Sequence, residues 1–518
     1  MSDLNIKNNA ESSIICERKP LVHRAENSCD FILPDYMGDV KKLLRYSVTP
    51  SPCDKFESGG ELTALTSLLY RVLYLDCEDV LREATFSSEH ECVQKMPENC
   101  IGSTVSVSVD SLAIRLWGPR KICAKATVKV EVAFVEEKPL PMPELPLGSE
   151  TLYEKINAYS TFYVDGGERE FAEQIGKLGG IGCESVEIIS SSATPVVNSC
   201  EVIDGALTVS GTVGGNVLLK VVDEVVSMEK KIPFEERLPL ELLSDEKPFA
   251  YAECITLDVC ASVNNESEDN GAVEFYTSVV LSFSTCIRAR YGMSEAHALV
   301  SEAFVPSMQC SCEYEAFEYN ERACGVSERR AVSAEVAIGE EPLRQIISCD
   351  AVMTNPRWTV SGAEAEFVAD ITFRPLMCGN EPQDLYTEKC DINVSERVKL
   401  PEYDSACYLN TSECITDVSA TFDGKAIYYT ASLKLDAEVM RKRSVDAASS
   451  ITAVTEGSSG TPRIFVYYPK SDETVWQVAK KYAVSPKELL EYNSAQELDV
   501  RAAAAEISGG AIVIPKIK

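Results

Sequence analysis

Cysteine and histidine are the residues of this chain with the most consequential chemistry, and they are present in very unequal numbers, 20 Cys against 3 His. A Ser/His/Asp or Cys/His relay needs an imidazole beside its nucleophile. His23, His90 and His297 each stand alone, with no nucleophile elbow around them. Cys310-Ser311-Cys312 is the one close cysteine pair; it has no matching CxxC or histidine partner and reads as buried small hydrophobes rather than zinc ligands. Cys100, Cys254 and Cys414 each precede an isoleucine in an alternating stretch and are expected to face a core. The glycine-rich run 176–182 lacks the Gly-Lys-Ser/Thr ending of a phosphate loop. The many carboxylates lack the spacing of a calcium loop and read as a solvated surface. The expectation is a chain with no catalytic residues, cofactor or metal.

Charge narrows the choice of partner. The net charge is −32, and it is concentrated in the first 460 residues, where 41 Lys+Arg face 74 Asp+Glu; residues 461–518 carry 8 against 7. Such a body repels nucleic acid and anionic lipid. Residues 1–20 lack the basic and apolar regions of a signal peptide, and no apolar run is long enough to span a bilayer. Twenty thiols without an export signal fit a reducing cytoplasm.

A chain of 518 residues needs several cores, and internal repetition shows where they fall. Leu43-Leu44-Arg45-Tyr46-Ser47 recurs as Ile188-Ile189-Ser190-Ser191-Ser192 and more faintly as Ile346-Ile347-Ser348-Cys349. Glu236-Arg237-x-x-Leu240 recurs as Glu396-Arg397-x-x-Leu400, the arginine of each expected to hold a strand edge by a salt bridge. Between these marks apolar and polar residues alternate, as in Val105-Ser106-Val107-Ser108-Val109, which predicts half-buried antiparallel strands. The fold class is therefore mainly β: three tandem β-rich domains at 1–138, 170–325 and 326–443. Residues 139–169 read as a Pro-rich linker with a short helix at 149–158, and 444–462 as a flexible tether.

The last segment, 463–518, reads as a small βααβ domain. An apolar run over 464–468 suits a strand buried on both faces. Thr474 is a natural N-cap for a helix through Val475, Val478, Ala479 and Tyr482, and Ser485-Pro486 starts a second helix. Gly509-Gly510 turns the chain into a closing strand. Trp476 is placed in the core, where its N–H needs a partner. The blocks Glu473-Thr474-Val475-Trp476, Leu489-Leu490-Glu491-Tyr492-Asn493 and Ile512-Val513-Ile514-Pro515 resemble the LysM family, with Asp472 standing where glycine is usual. Aspartate is tolerated there if the turn needs positive φ. The resemblance implies a groove formed by Lys470, Ser471, Asp472, Glu473, Thr474, Ala495, Gln496, Ser508, Gly509 and Gly510, with Tyr468 or Tyr492 supplying an apolar face. The tether is expected to let this module reach a partner independently of the body.

Cys29-Asp30-Phe31-Ile32-Leu33-Pro34-Asp35-Tyr36, with Asp39-Val40 and Leu43-Leu44, resembles the opening of a SPOCS domain. Tandem SPOCS domains followed by LysM are similar to SipL-type spore coat proteins. That resemblance implies a non-enzymatic coat-assembly scaffold of the mother-cell cytoplasm, recruited to the forespore surface. Its LysM module would dock on a coat basement-layer ATPase or another coat protein. The alternative partner is peptidoglycan glycan, the usual LysM ligand; neither nucleic acid nor a membrane is expected.

Overall fold

The alternation that predicted strands is borne out, and each core forms between two such sheets in the computed structural model of the chain. The structure describes residues 13–240, 249–269, 273–306, 308–338, 342–456, 465–495 and 497–515. The first unit contains β1 (Ser13–Glu17), β2 (Leu21–Ile32), β3 (Val40–Pro50), β4 (Asp54–Ser58), β5 (Glu61–Asp76), β6 (Leu81–Lys95), β7 (Cys100–Leu116) and β8 (Lys121–Pro139). In one sheet β5 is flanked by β3, β4 and β6, and in the other β8 is flanked by β1, β2 and β7. Leu62, Leu68, Tyr70 and Tyr74 of the first sheet meet Ile122, Val128, Val132 and Phe134 of the second in one buried cluster.

The same strand order recurs twice. β9 (Glu150–Gly179), β10 (Val186–Ile203), β11 (Ala206–Val221), β12 (Glu224–Pro239), β13 (Phe249–Asp269) and β14 (Val273–Phe304) form sheets β10-β11-β12 and β13-β14-β9. β15 (Met308–Ala337), β16 (Gln345–Ser361), β17 (Glu364–Cys378), β18 (Leu385–Tyr386), β19 (Cys390–Lys399), β20 (Cys407–Phe422) and β21 (Ala426–Glu456) form one sheet centred on β17 and another ordered β15-β21-β20. In the second and third sandwiches the glutamate of the repeated Glu-Arg mark laces the two sheets together, and in the second the arginine, Arg237, pairs with Asp204 of its own sheet at 4.0 Å. Glu236 pairs with Arg169 at 2.5 Å and Glu396 with Arg330 at 3.3 Å.

The three sandwiches share two junctions. At the first, the repeated Leu-Leu/Ile-Ile marks fall on β-bulges, and the ladder shifts register across Leu44, Ile189 and Ile347. A bulge turns the extra residue out of the pleat, and all three extra residues enter one cluster with Leu73, Leu218 and Leu376. The same two intervals along the chain separate both trios. Polar contacts follow the same cycle: Arg71 donates to the Ser191 carbonyl and Arg374, at the equivalent position, to the Tyr46 carbonyl. Arg45 donates to Ser348 Oγ at 3.2 Å and to the Arg374 carbonyl at 2.9 Å. Here the central strands lose their alternation, because Leu73–Leu75 and Leu376–Cys378 are covered on both faces.

The second junction is made by strands that outrun their sandwiches. The first half of β9 pairs with the second half of β14, and the first half of β15 with the second half of β21. Ile14 and Cys16 of β1, Ile156, Ala158, Leu299, Phe317 and Ala447 pack together there. Beside them lies a buried charged network. Arg290 pairs with Glu17 at 2.9 Å and Glu438 at 2.8 Å; Arg322 reaches Glu438 at 3.1 Å, as does the Tyr159 hydroxyl. The Tyr163 hydroxyl donates to Glu17 at 2.6 Å. Burial would lower the Arg290 pKa, but Glu438 and Glu17 outweigh it and the value is raised. The same cause, desolvation first, raises the Tyr159 and Tyr163 hydroxyls, with Glu438 and Glu17 adding to it.

Two segments with the look of connectors are strand instead. Residues 149–158 are not helical; from Glu150 on they are the start of β9, where pairing with β14 and burial of Ile156 and Ala158 override local helix propensity. Residues 444–456 of the expected tether continue β21, with Ala447 and Ala448 fully buried, while 457–462 lie outside the described residues.

Candidate binding face of the C-terminal unit

After residue 464 the chain forms β22 (Phe465–Tyr467), α1 (Val475–Lys481), α2 (Pro486–Tyr492), α3 (Ala505–Ser508) and β23 (Ile512–Ile514). The Thr474 hydroxyl accepts from the Gln477 amide at 3.2 Å and the Gln477 side chain accepts from the Thr474 amide at 2.9 Å, a complete capping box. Ser485 makes no side-chain cap; Pro486 alone starts α2. Gly509 and Gly510, at φ 63° and 117°, end α3 and redirect the chain into β23. α3 itself has no periodic signal in the sequence.

The antiparallel pairing of Tyr467 with Ile512 brings the loop leaving β22 and the turn entering β23 to the same end of a two-stranded sheet. Of the groove residues expected from sequence, Lys470, Ser471, Asp472 and Gly509 are exposed and Gly510 half-buried. Glu473 and Thr474 hold the loop together. Glu473 accepts from the Tyr467 hydroxyl at 2.8 Å and from the Lys470 amide at 3.2 Å, and its carbonyl accepts from the Ala504 amide at 2.6 Å. Ala495 packs against the core of the unit. Gln496 and the Ser508 side chain lie outside the described residues. Asp472 does not have positive φ, so aspartate carries no backbone strain at that position.

The opening strand was expected to be buried on both faces, and it is not. Phe465 and Val466 are exposed, as are Tyr468, at 73 %, and Tyr492, at 64 %. Only Tyr467 turns inward, its ring 5.2 Å from Tyr482 and its hydroxyl accepting from Lys481 Nζ at 2.8 Å. That hydrogen bond raises the Lys481 pKa. β22 has a single partner, β23, among the described residues, which leaves its other edge unpaired. Phe465 and Val466 were missed because a short apolar run does not reveal how many faces its strand covers.

The opposite requirement, a partner for Trp476 N–H, is met from outside the unit. Trp476 Nε1 donates to Glu302 at 2.7 Å, Lys480 Nζ reaches the same carboxylate at 3.0 Å, and the Phe304 ring lies edge-on to the indole at 5.1 Å. Leu152 joins that core, and Arg501 donates to the Tyr153 carbonyl. The unit is therefore seated on the end of the β9–β14 ladder rather than reaching out independently.

The groups with catalytic potential lie elsewhere. Burial pushes the thiols of Cys200 and Cys349 up to about 12 and that of Cys254 up to about 11, which keeps them protonated and unreactive near neutral pH. Cys414, expected in a core, is exposed on β20. Burial lowers the pKa of His90, with His23 adding to the effect, and burial also lowers that of His297 despite Glu295 at 3.6 Å. Among the described residues no cluster of His, Cys, Asp or Glu is arranged to hold a metal ion, and no helix is long and apolar enough to cross a membrane.

Residues 186–259 match the family model described as SipL, SPOCS domain. The matched stretch runs from the start of β10 through β12 into β13, one whole sheet of the second sandwich and part of its other sheet. It supports a SipL-type, sporulation-related protein. No curated protein and no solved structure matches the chain.

Proposed function

We propose that the chain is a spore coat assembly protein without enzymatic activity. Its C-terminal unit acts as a LysM module that docks on a coat basement-layer protein at the forespore surface. The observation that carries this reading is the SPOCS match over 186–259 on a chain whose C-terminal unit leaves Phe465, Val466, Tyr468 and Tyr492 exposed. Exposed aromatic side chains offer large contact area at low entropic cost, which suits protein docking. The acidic body supports a protein partner over an anionic wall polymer. The three sandwiches would then serve as one rigid base that presents the module, rather than as three flexibly linked binding sites.

A fluorescent fusion followed through sporulation tests the reading. The fusion is expected to leave the mother-cell cytoplasm and form a shell around the forespore, with Tyr468→Ala/Tyr492→Ala remaining dispersed. Uniform fluorescence at every stage, or a signal in the vegetative cell wall, would overturn it.

A further inference from the structure

At one end of the first sandwich, far along the chain from the C-terminal unit, three large apolar side chains stand in solvent. Ile32 is 71 % exposed, Tyr36 81 % and Trp117 69 %. We propose that this end is a second docking surface, and that it takes a basic segment of a partner protein.

The loop that carries Tyr36 is held rigidly. Tyr36 lies in the loop between β2 and β3, and Trp117 begins the turn between β7 and β8. Arg120 of that turn donates to the carbonyls of Leu33 at 3.2 Å, Pro34 at 2.6 Å and Met37 at 3.1 Å, and pairs with Asp39 at 2.8 Å. The Val40 amide donates to the Pro119 carbonyl at 2.7 Å and the Leu33 amide to the Arg120 carbonyl at 2.9 Å. A Cβ on Gly38 would sit 2.8 Å from the Cβ of Asp76, so only glycine lets the loop lie this close to β5. An exposed aromatic on a loop fixed this firmly loses little entropy on binding.

Charge selects the occupant. The Asp35 side chain, between Pro34 and Tyr36, is fully exposed; its nearest cation, Arg120, is 3.7 Å away and already engaged with Asp39 and three carbonyls. Lys121 Nζ, paired with Asp30 at 2.7 Å, lies over one face of the Trp117 ring at 4.9 Å, an intramolecular cation–ring–carboxylate arrangement. A partner's arginine can stack on an aromatic ring while pairing with a carboxylate. A second copy of this chain would bring another −32 to the contact, which disfavours self-association.

Trp117 is also a convenient reporter. Trp476 is buried, and Trp358 is half-buried with its N–H bonded to Glu413 at 2.9 Å. The full chain is titrated with a twelve-residue peptide of alternating arginine and leucine and, separately, with its glutamate–leucine counterpart, while tryptophan emission and acrylamide quenching are followed. The expected result is a saturable blue shift with protection from quenching for the arginine peptide alone, weakened by salt. Tyr36→Ala should weaken it at least about tenfold and Asp35→Asn several-fold, whereas Leu147→Ala, at an exposed leucine outside the sandwiches, should leave it unchanged. Absence of a saturable shift, equal binding of the acidic peptide, or unchanged affinity in Tyr36→Ala would overturn the proposal. So would self-association in sedimentation equilibrium that Trp117→Ala abolishes. None of these outcomes depends on the C-terminal unit.

Discussion

Glu438→Ala is expected to destabilise the chain by about 3–5 kcal/mol, the usual cost of breaking a buried ion pair from one side. The Glu438 side chain is almost wholly buried and accepts from Arg290 at 2.8 Å, Arg322 at 3.1 Å and the Tyr159 hydroxyl at 3.1 Å. Removing it leaves two guanidinium groups at the second junction, with only Glu17 to balance Arg290. Because β1, β9, β14, β15 and β21 all meet there, the loss should appear as an earlier first transition in guanidinium denaturation rather than as a local change. The exposed pair Lys442–Glu318, at 2.7 Å, supplies the contrast. Lys442→Ala should cost under about 1 kcal/mol. Equal effects from the two substitutions would mean that the junction is not holding the sandwiches together.

Leu73→Ala, Leu218→Ala and Leu376→Ala are each expected to cost about 2–5 kcal/mol, the range for truncating a buried leucine. The sharper expectation concerns their combination. Each leucine belongs to a different sandwich, yet all three share one cluster with Leu44, Ile189 and Ile347. Groups that share a cavity do not add independently. The double variant Leu73→Ala/Leu376→Ala should therefore fall short of the sum of its parts by about 0.5 kcal/mol or more in chemical denaturation. Strict additivity would place these leucines in three separate cores.

The local chemistry of the C-terminal unit could be read from sequence, because a capping threonine, a proline at a helix start and a glycine pair at a turn each act over a few residues. Thr474, Pro486 and Gly509 do what their types dictate. The repeated Leu-Leu/Ile-Ile marks were visible as repeats, but not their bulges or their meeting point. A bulge is a property of two paired strands, and here the cluster it feeds draws on three sandwiches. Long-range pairing also explains the other differences. Residues 149–158 have a helix-like composition, and only the distant β14 ladder makes them a strand. The partner of Trp476 is Glu302, separated from it along the chain by the whole of the third sandwich. Of the expected groove, Lys470, Ser471, Asp472 and Gly509 are exposed, and Ala495 is half-buried, packed against the core yet lining a surface depression with Ser494 and Leu498. Val466 points away from Tyr467 onto the uncovered face of the two-stranded sheet, while Phe465, on the same side as Tyr467, is exposed at the start of the strand.

The C-terminal unit, with its exposed Tyr468 and Tyr492, is proposed to bind protein rather than glycan. The most direct test offers the purified full chain two surfaces side by side: immobilised coat basement-layer ATPase and purified peptidoglycan sacculi. Saturable binding to the ATPase, reduced at least about tenfold by Tyr468→Ala/Tyr492→Ala, with no sedimentation on sacculi, is the predicted result. Retention on sacculi that the same double variant abolishes, with none on the ATPase, would contradict it.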